Sequence, residues 1–258
     1  MLLAIDVGNT ITALAVFLGD KIKADWRLST DPSRTSDEYA AILHPLFAER
    51  TIEFSGTTAV AISSVVPAAV DPLVRFAKKH LKIASPLVLS PHMDFGVHIH
   101  YHPVGDVGPD RIANAVAAHA KYGGKAIVVD FGTATTLDAV SESGDYLGGA
   151  IAPGVQISLD ALVARAARLT GVQLAAPEKA IGTSTVGSVQ SGVIFGVAGQ
   201  VDALVERFQE EMGGGAKVIA TGGLADVIAP HSRTIECCDD MLTLEGIRMI
   251  YERAHAAK

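Results

Sequence analysis

Cysteine is scarce in this chain, with Cys237 and Cys238 the only two in 258 residues. Side by side, they match neither a Cys-x-x-Cys redox pair nor a metal knuckle, and they are expected to be small buried apolar residues. Long apolar runs are missing too. No stretch of about 18 apolar residues suited to crossing a bilayer is present, and the start, Met1 to Asp6, lacks a basic segment and meets a carboxylate too early for a secretory leader. Basic charge is in deficit: 21 Lys and Arg against 28 Asp and Glu leave a net charge of −7, with no Lys/Arg stripe to displace counterions from a nucleic acid. No linker, low-complexity tract or charge run interrupts the sequence. These absences predict a cytoplasmic protein whose partners include neither nucleic acid nor membrane. His98, His100 and His102 would share one face of a strand, but no carboxylate or cysteine completes a metal site at a recognisable spacing, so a solvated strand or loop end is expected there.

What the chain has is core material, 49% hydrophobic residues, and a repeat. Ile5-Asp-Val-Gly-Asn-Thr-Ile-Thr-Ala-Leu-Ala-Val16 aligns without a gap on Val129-Asp-Phe-Gly-Thr-Ala-Thr-Thr-Leu-Asp-Ala-Val140, setting Asp6 on Asp130, Gly8 on Gly132 and Thr12 on Thr136. In each copy an apolar, β-branched run ends at Asp, turns through Gly and small polar residues, and resumes as a second strand, which is the pattern of a β-hairpin. Glycine lets the backbone approach an anion, hydroxyls add hydrogen bonds, and the Asp can hold a cation, so such a tip suits phosphate. The duplication predicts two α/β domains, at 1–120 and 121–258, whose hairpins clamp a nucleotide in the cleft between them.

The local signals repeat in the same order. Residues 2–10, 12–18 and 21–28 read as a strand meander. Thr35 caps a helix with Glu38 at the capping-box position. A strand at 60–66 stops at Pro67, which starts a helix at 68–80, and a short strand lies at 86–90. Gly108-Pro-Asp-Arg111 opens another helix with Pro109 near its first position. A second meander follows at 125–130, 134–140 and 146–151, then helices at 154–168 and 187–211, the strand and glycine turn Lys217–Gly223, and a closing helix at 242–253.

Two in-register hairpins joined to a late Thr221-Gly222-Gly223 resemble the two phosphate motifs and the adenosine motif of the acetate kinase, sugar kinase, Hsp70 and actin superfamily. Within it the chain resembles the type III pantothenate kinases. The resemblance rests on Asp6-Val-Gly-Asn-Thr10, Arg34-Thr-Ser-Asp-Glu38, Ile62-Ser-Ser-Val-Val-Pro67, Val107-Gly-Pro-Asp-Arg-Ile-Ala-Asn-Ala115, Asp130-Phe-Gly-Thr-Ala-Thr-Thr136, Gly148-Gly-Ala-Ile-Ala-Pro-Gly154, Gln190-Ser-Gly192 and Thr243-Leu-Glu-Gly246, in order and spacing. It implies two duplicated ribonuclease-H-like domains and ATP-dependent phosphorylation of pantothenate to 4′-phosphopantothenate, the first step of coenzyme A synthesis. It also implies a homodimer that needs Mg²⁺ and a monovalent cation, K⁺ or NH₄⁺. Pro109, Leu137 and Ser184 depart from commoner family residues, and none of them removes a catalytic group.

Phosphoryl transfer asks a protein for in-line positioning and for neutralisation of charge on the phosphate oxygens. Asp6 is expected to hold hydrated Mg²⁺, with Gly8, Asn9 and Thr10 offering donors to phosphate. Gly132, Thr133, Thr135 and Thr136 do the same in the second hairpin, and Gly222 and Gly223 approach the adenosine. Asp130 is expected to bind the monovalent cation. Asp110 is the candidate general base for the substrate hydroxyl; at a helix N-terminus beside Arg111, its pKa is expected to be depressed. Arg111, with its planar fork, is expected to pair with the pantothenate carboxylate. Gly108, Tyr101, Gly149 and Thr185 complete the substrate set, Thr185 reaching it from the partner subunit. The Ala- and Val-rich stretch at 187–205, with Gly192, Gly196 and Gly199 near helical spacing, is the candidate dimer face. Two other readings compete: another small-molecule kinase or phosphatase of the superfamily, and a nucleotide-binding regulatory accessory factor. Intact Asp6, Asp110 and Asp130 argue against the latter.

Overall fold

The computed structural model describes residues 1–165 and 172–256. Among them are β1 (Leu2–Val7), β2 (Ile11–Leu18), β3 (Lys21–Ser29), α1 (Ser36–Glu49), β4 (Ala59–Ser64), α2 (Pro67–His80), β5 (Leu87–Val88), α3 (Pro109–Tyr122), β6 (Ala126–Phe131), β7 (Ala134–Val140), β8 (Tyr146–Pro153), α4 (Val155–Arg165), α5 (Thr185–Met212), β9 (Lys217–Thr221), α6 (Ala225–Ile228), β10 (Cys237–Cys238) and α7 (Leu242–Ala256). The last residues of the helix expected at 154–168 lie outside the described residues.

Two compact units form, one from Met1–Val97, Tyr101–Ala117 and Thr243–Lys258, the other from His98–His100 and Ala118–Leu242. Each contains one five-stranded mixed sheet. The first runs β3-β2-β1-β4-β5 and the second β8-β7-β6-β9-β10, so the strand order is the same in both. The meander strands pair antiparallel, and the later strands add in parallel beside β1 and β6. Central strands covered on both faces read as continuous apolar runs. Accordingly, Leu3, Ala4, Ile5 and Val7 of β1, and Ala126 to Val129 of β6, have no accessible surface.

The first core is partly aromatic: Trp26 stacks on Phe47, which meets Phe54 edge-on. The second is mainly aliphatic, with Ile194, Ala198, Val201 and Val205 of α5 packed over Ile127, Val129 and Leu137. By length and composition alone α5 could cross a membrane; here its buried stripe forms part of the second core. The capping box at α1 is formed, Thr35 N–H donating to Glu38 Oε2 at 2.7 Å and Glu38 N–H to Thr35 Oγ1 at 3.3 Å.

The duplication extends to the irregularities. A β-bulge falls between Val16 and Phe17 on β2 and between Ala139 and Val140 on β7, and these are matching places, because Val16 pairs with Leu3 and Ala139 with Ile127. The hairpin tips correct the gapless alignment. Val7 pairs with Thr12, whereas Phe131 pairs with Thr135. The second tip is one residue shorter, so the counterpart of Thr12 is Thr135 and not Thr136.

Two further expectations change. The closing helix α7 belongs to the first unit rather than to the second half of the chain. A Cβ at Gly246 would run into the Ala113 carbonyl of α3, so glycine allows close helix packing there, and Thr243 Oγ1 donates to Asn114 Oδ1 at 2.7 Å. The cysteines are not buried: they form the edge strand β10, where Cys237 is half-buried and Cys238 exposed. An edge strand covers only one side of its neighbour, which leaves the outer residue to solvent. His98, His100 and His102 are exposed, and no metal-binding group of three His, Cys, Asp or Glu residues occurs among the described residues.

Candidate active site

Asp6 is the one polar residue of β1, next to the turn, and parallel pairing sets it beside Ser63 of β4. Ser63 Oγ donates to Asp6 Oδ1 at 2.8 Å, which fixes one carboxylate oxygen of a half-buried residue. The tip that follows is narrow. Gly8 N–H donates to the Ile11 carbonyl at 3.0 Å, while Asn9 and Thr10 are exposed.

Asp110 is in the first turn of α3, and the same unit brings it near the end of β1. Val65, just past β4, donates its N–H to the Val7 carbonyl at 3.0 Å. Its side chain would lie 3.4 Å from a Cβ at Gly108. That Cβ would also overlap Asp110 Oδ1, so glycine at 108 leaves the room in which the carboxylate folds back over its own turn. There Oδ1 accepts the Arg111 N–H at 2.9 Å. The expected depression of the Asp110 pKa is overturned. Burial raises it above the ordinary value of 3.8, outweighing the Arg111 N–H bond and the Arg111 charge, which both lower it. Although the residue retains some accessible surface, protein atoms crowd its carboxylate, and desolvation decides the sign. Arg111 itself is only 6% exposed. Tyr101 is half-buried in the stretch before α3, next to the cis His102–Pro103 bond.

In the second unit Asp130 occupies the place of Asp6, beside Thr221 as Asp6 is beside Ser63. Gly222 follows with φ +91°, a left-handed conformation, and a Cβ there would sit 2.5 Å from Asp130 Oδ1 and 2.7 Å from the Phe131 backbone. The adenosine-motif glycine and the second hairpin are thus locally one structure, and only glycine fits their junction. Gly223 has open space around its Cβ position. Gly132 is exposed and Thr133 half-buried. Thr135 is fully buried, and its hydroxyl has no hydrogen-bond partner among the described residues. Thr136 Oγ1 contacts Asp138 Oδ2 at 3.3 Å; the buried Asp138 also accepts the Tyr146 hydroxyl at 2.8 Å.

Gly149 is exposed on β8 opposite Asp138, and Thr185 is the exposed first residue of α5, capped by Ser184 Oγ accepting the Gly187 N–H at 3.1 Å. Within each unit, then, the predicted residues gather in part: Asp6, the first tip, Gly108, Asp110 and Arg111 in one; Asp130, the second tip and Gly222 in the other. Gly149 and Thr185 stand on separate elements. Sequence reading assigned no role to Ser63, although it lies in the quoted motif Ile62-Ser-Ser-Val-Val-Pro67, and it missed the Asp138–Tyr146 pair, which no local pattern announces.

A family model described as type III pantothenate kinase matches residues 2–207. A type III pantothenate kinase of Moorella thermoacetica is 49% identical over 253 residues, spanning 98% of this chain and 99% of that protein. One from Myxococcus xanthus is 46% identical over 257 residues and the full length of both chains. Among solved structures, a Baf family transcriptional activator from Campylobacter jejuni is similar with TM-score 0.60 at 19% identity, covering 98% of this chain and 99% of that one. A glucokinase of the ROK family from Streptomyces griseus, in complex with glucose and AMPPNP, is similar with TM-score 0.52 at 13% identity, covering 95% and 97%. With the shared strand order, these likenesses give the fold: two duplicated ribonuclease-H-like α/β domains.

Proposed function

Because the chain belongs to the type III pantothenate kinase family, whose members phosphorylate pantothenate in coenzyme A synthesis, we propose that Asp110 is the general base and that the two hairpin tips hold the phosphates of ATP. The observation that carries this reading is the Asp110 turn: a carboxylate folded over Gly108, beside Val65 and the end of β1, with its basicity raised by burial. A more basic carboxylate accepts the proton of the substrate hydroxyl more readily, and in a loose transition state that proton is released late, so placement and basicity act together. Arg111, behind the same turn, pairs with the pantothenate carboxylate. Tyr101, Gly149 and Thr185 line the substrate, Thr185 from the partner subunit.

Asp6 suits Mg²⁺ held through water, because it offers one carboxylate with one oxygen already engaged by Ser63, while Mg²⁺ keeps much of its own hydration shell. The ion, when bound, neutralises charge on the β- and γ-phosphates. Asp130, a single carboxylate at the second tip, suits a weakly hydrated K⁺ or NH₄⁺ better than a compact octahedral Mg²⁺. The orphaned Thr135 hydroxyl supports a ligand at the second tip, since a buried donor without a partner is costly. Dimerisation uses α5, where Gly192, Gly196 and Gly199 have open space around their Cβ positions and would let a second helix approach closely.

Purified protein given ATP, Mg²⁺ and K⁺ should release ADP only when pantothenate is added; ADP release with a sugar instead would overturn the substrate. At fixed ionic strength, K⁺ and NH₄⁺ should support much faster turnover than Na⁺, and Asp130→Ala should flatten that difference. Equal rates in the three salts would make Asp130 a structural carboxylate.

A further inference from the structure

The two hairpins share topology but differ in how their tips are secured. In the first, Thr30, the residue just past β3, donates its hydroxyl to the Gly8 carbonyl at 2.8 Å and its N–H to the Thr10 carbonyl at 2.9 Å. Its oxygen also lies 2.8 Å from Thr12 Oγ1. A carbonyl can only accept, so the Thr30 proton is committed to Gly8 and Thr12 must be the donor in the second bond. A directed relay results, from the Thr12 hydroxyl to the Thr30 hydroxyl to the Gly8 carbonyl. Thr12 is fully buried, which anchors the relay in the first core.

In the second unit the counterpart of Thr30 is Gly154. Ser29 pairs with Ile11 and Pro153 with Ala134, and the next residues are Thr30 and Gly154. Gly154 could carry no side chain, because a Cβ would collide with the Thr133 carbonyl and stand 2.8 Å from that of Gly132. Correspondingly the hydroxyl of Thr135, the counterpart of Thr12, has no partner among the described residues.

We infer that Thr30 is a positioning residue for nucleotide binding at the first hairpin, holding the Gly8 and Thr10 carbonyls away from the phosphates. This rests on the reading of that hairpin as a nucleotide site. An anion is repelled by carbonyl oxygens and attracted by N–H groups. With the Gly8, Thr10 and Ile11 carbonyls each accepting a bond inside the protein, three acceptors of the tip are engaged and kept from an approaching anion. The second tip is secured by close backbone packing on Gly154 and has no such hydroxyl, so the lock belongs to one hairpin only.

The test is steady-state kinetics of Thr30→Val and Thr30→Ser, with Asp6→Asn as control. Val keeps the shape and removes the hydroxyl; Ser keeps the hydroxyl. Loss of one neutral hydrogen bond corresponds to roughly a three- to tenfold rise in the KM for ATP. That rise is expected in Thr30→Val, with the KM for pantothenate within about twofold of wild type and with Thr30→Ser close to wild type throughout. Thr30→Ala, which adds no new contact, gives the same reading if Thr30→Val does not fold. An unchanged KM for ATP, or equal behaviour of the Val and Ser variants, overturns the lock. If Asp6→Asn weakens ATP while Thr30→Val does not, the lock alone fails; if neither does, the hairpin is not the nucleotide site.

Discussion

A single carboxylate illustrates how competing local effects are decided by surroundings. Asp110 has a helix N-terminus and an arginine in its favour, both of which stabilise its ionised form, by about 0.3–1 kcal/mol for the helix end. Burial opposes them and wins. Two outcomes follow. Activity should fall as pH drops through the raised pKa, because the base must be ionised to accept a proton, and the acid limb of kcat/KM should lie above 3.8, the ordinary aspartate value. In the folding balance the sign is opposite to that of a salt-bridged carboxylate. A raised pKa means that the unfolded chain releases the proton more easily, so the group costs stability as pH rises from 3.8 through its folded value. Asp110→Asn should therefore lose roughly 10²-fold or more in kcat while melting no lower than wild type at pH 7, with its advantage shrinking toward pH 4. Melting curves across that range, beside turnover, check both; a variant that is active, or that melts well below wild type at neutral pH, contradicts the assignment.

At the scale of elements, buried polar anchors hold the connections that the hydrophobic pattern leaves loose. Asp202, 3% exposed on α5, accepts bonds from Ser232 Oγ at 2.6 Å, Thr234 Oγ1 at 2.8 Å and Arg233 N–H at 3.0 Å. Burial pushes its pKa up, but these bonds outweigh it and the net shift is downward. A lowered carboxylate contributes stability above 3.8 that is lost as pH falls through the folded value. Asp202→Asn should cost about 1.5–3 kcal/mol at pH 7, the range for hydrogen bonds to a charged group, with the deficit narrowing in acid. Denaturant unfolding at pH 7 and near pH 3 measures it. A constant deficit at both would mean that the amide loses shape and not charge. The pairing of α7 with α3 is a second such anchor, with Gly246 and Thr243 supplying close approach and one hydrogen bond against the helix that carries Asp110.

For the whole molecule the question is assembly. α5 buries Ile194, Ala198, Val201 and Val205 and leaves Gly192, Gly196 and Gly199 uncovered. Exposed apolar side chains accompany them in the same unit, with Ile151 at 64% and Ile181 at 85%. A dimer that brings Thr185 to a neighbouring subunit's substrate should scatter light as twice 26.8 kDa at micromolar concentration. Gly196→Glu, which sets a charge on that face without touching the core, should shift the mass toward the monomer and lower turnover together. A Gly196→Glu protein that remains dimeric places the interface elsewhere.

The sequence by itself determined the elements and the duplication, because these are written in short-range patterns: the Thr35–Glu38 capping box, Pro67 and Pro109 at helix starts, and apolar runs broken at Asp-x-Gly turns. It also determined the family, since motifs in order survive without any knowledge of packing. Only the tertiary structure decided quantities that depend on neighbours distant in the chain. The one-residue difference between the hairpin tips appears in strand register, where Thr12 meets Val7 but Thr135 meets Phe131; a gapless alignment of similar residues cannot reveal it. The exposure of Cys238 depends on which strand ends the sheet, and the membership of α7 on which helix accepts a glycine at close range. The rise in the Asp110 pKa has the same origin. Charge on neighbouring residues is legible in sequence, but desolvation is set by atoms that the fold brings in from elsewhere, and in this protein it is the larger effect.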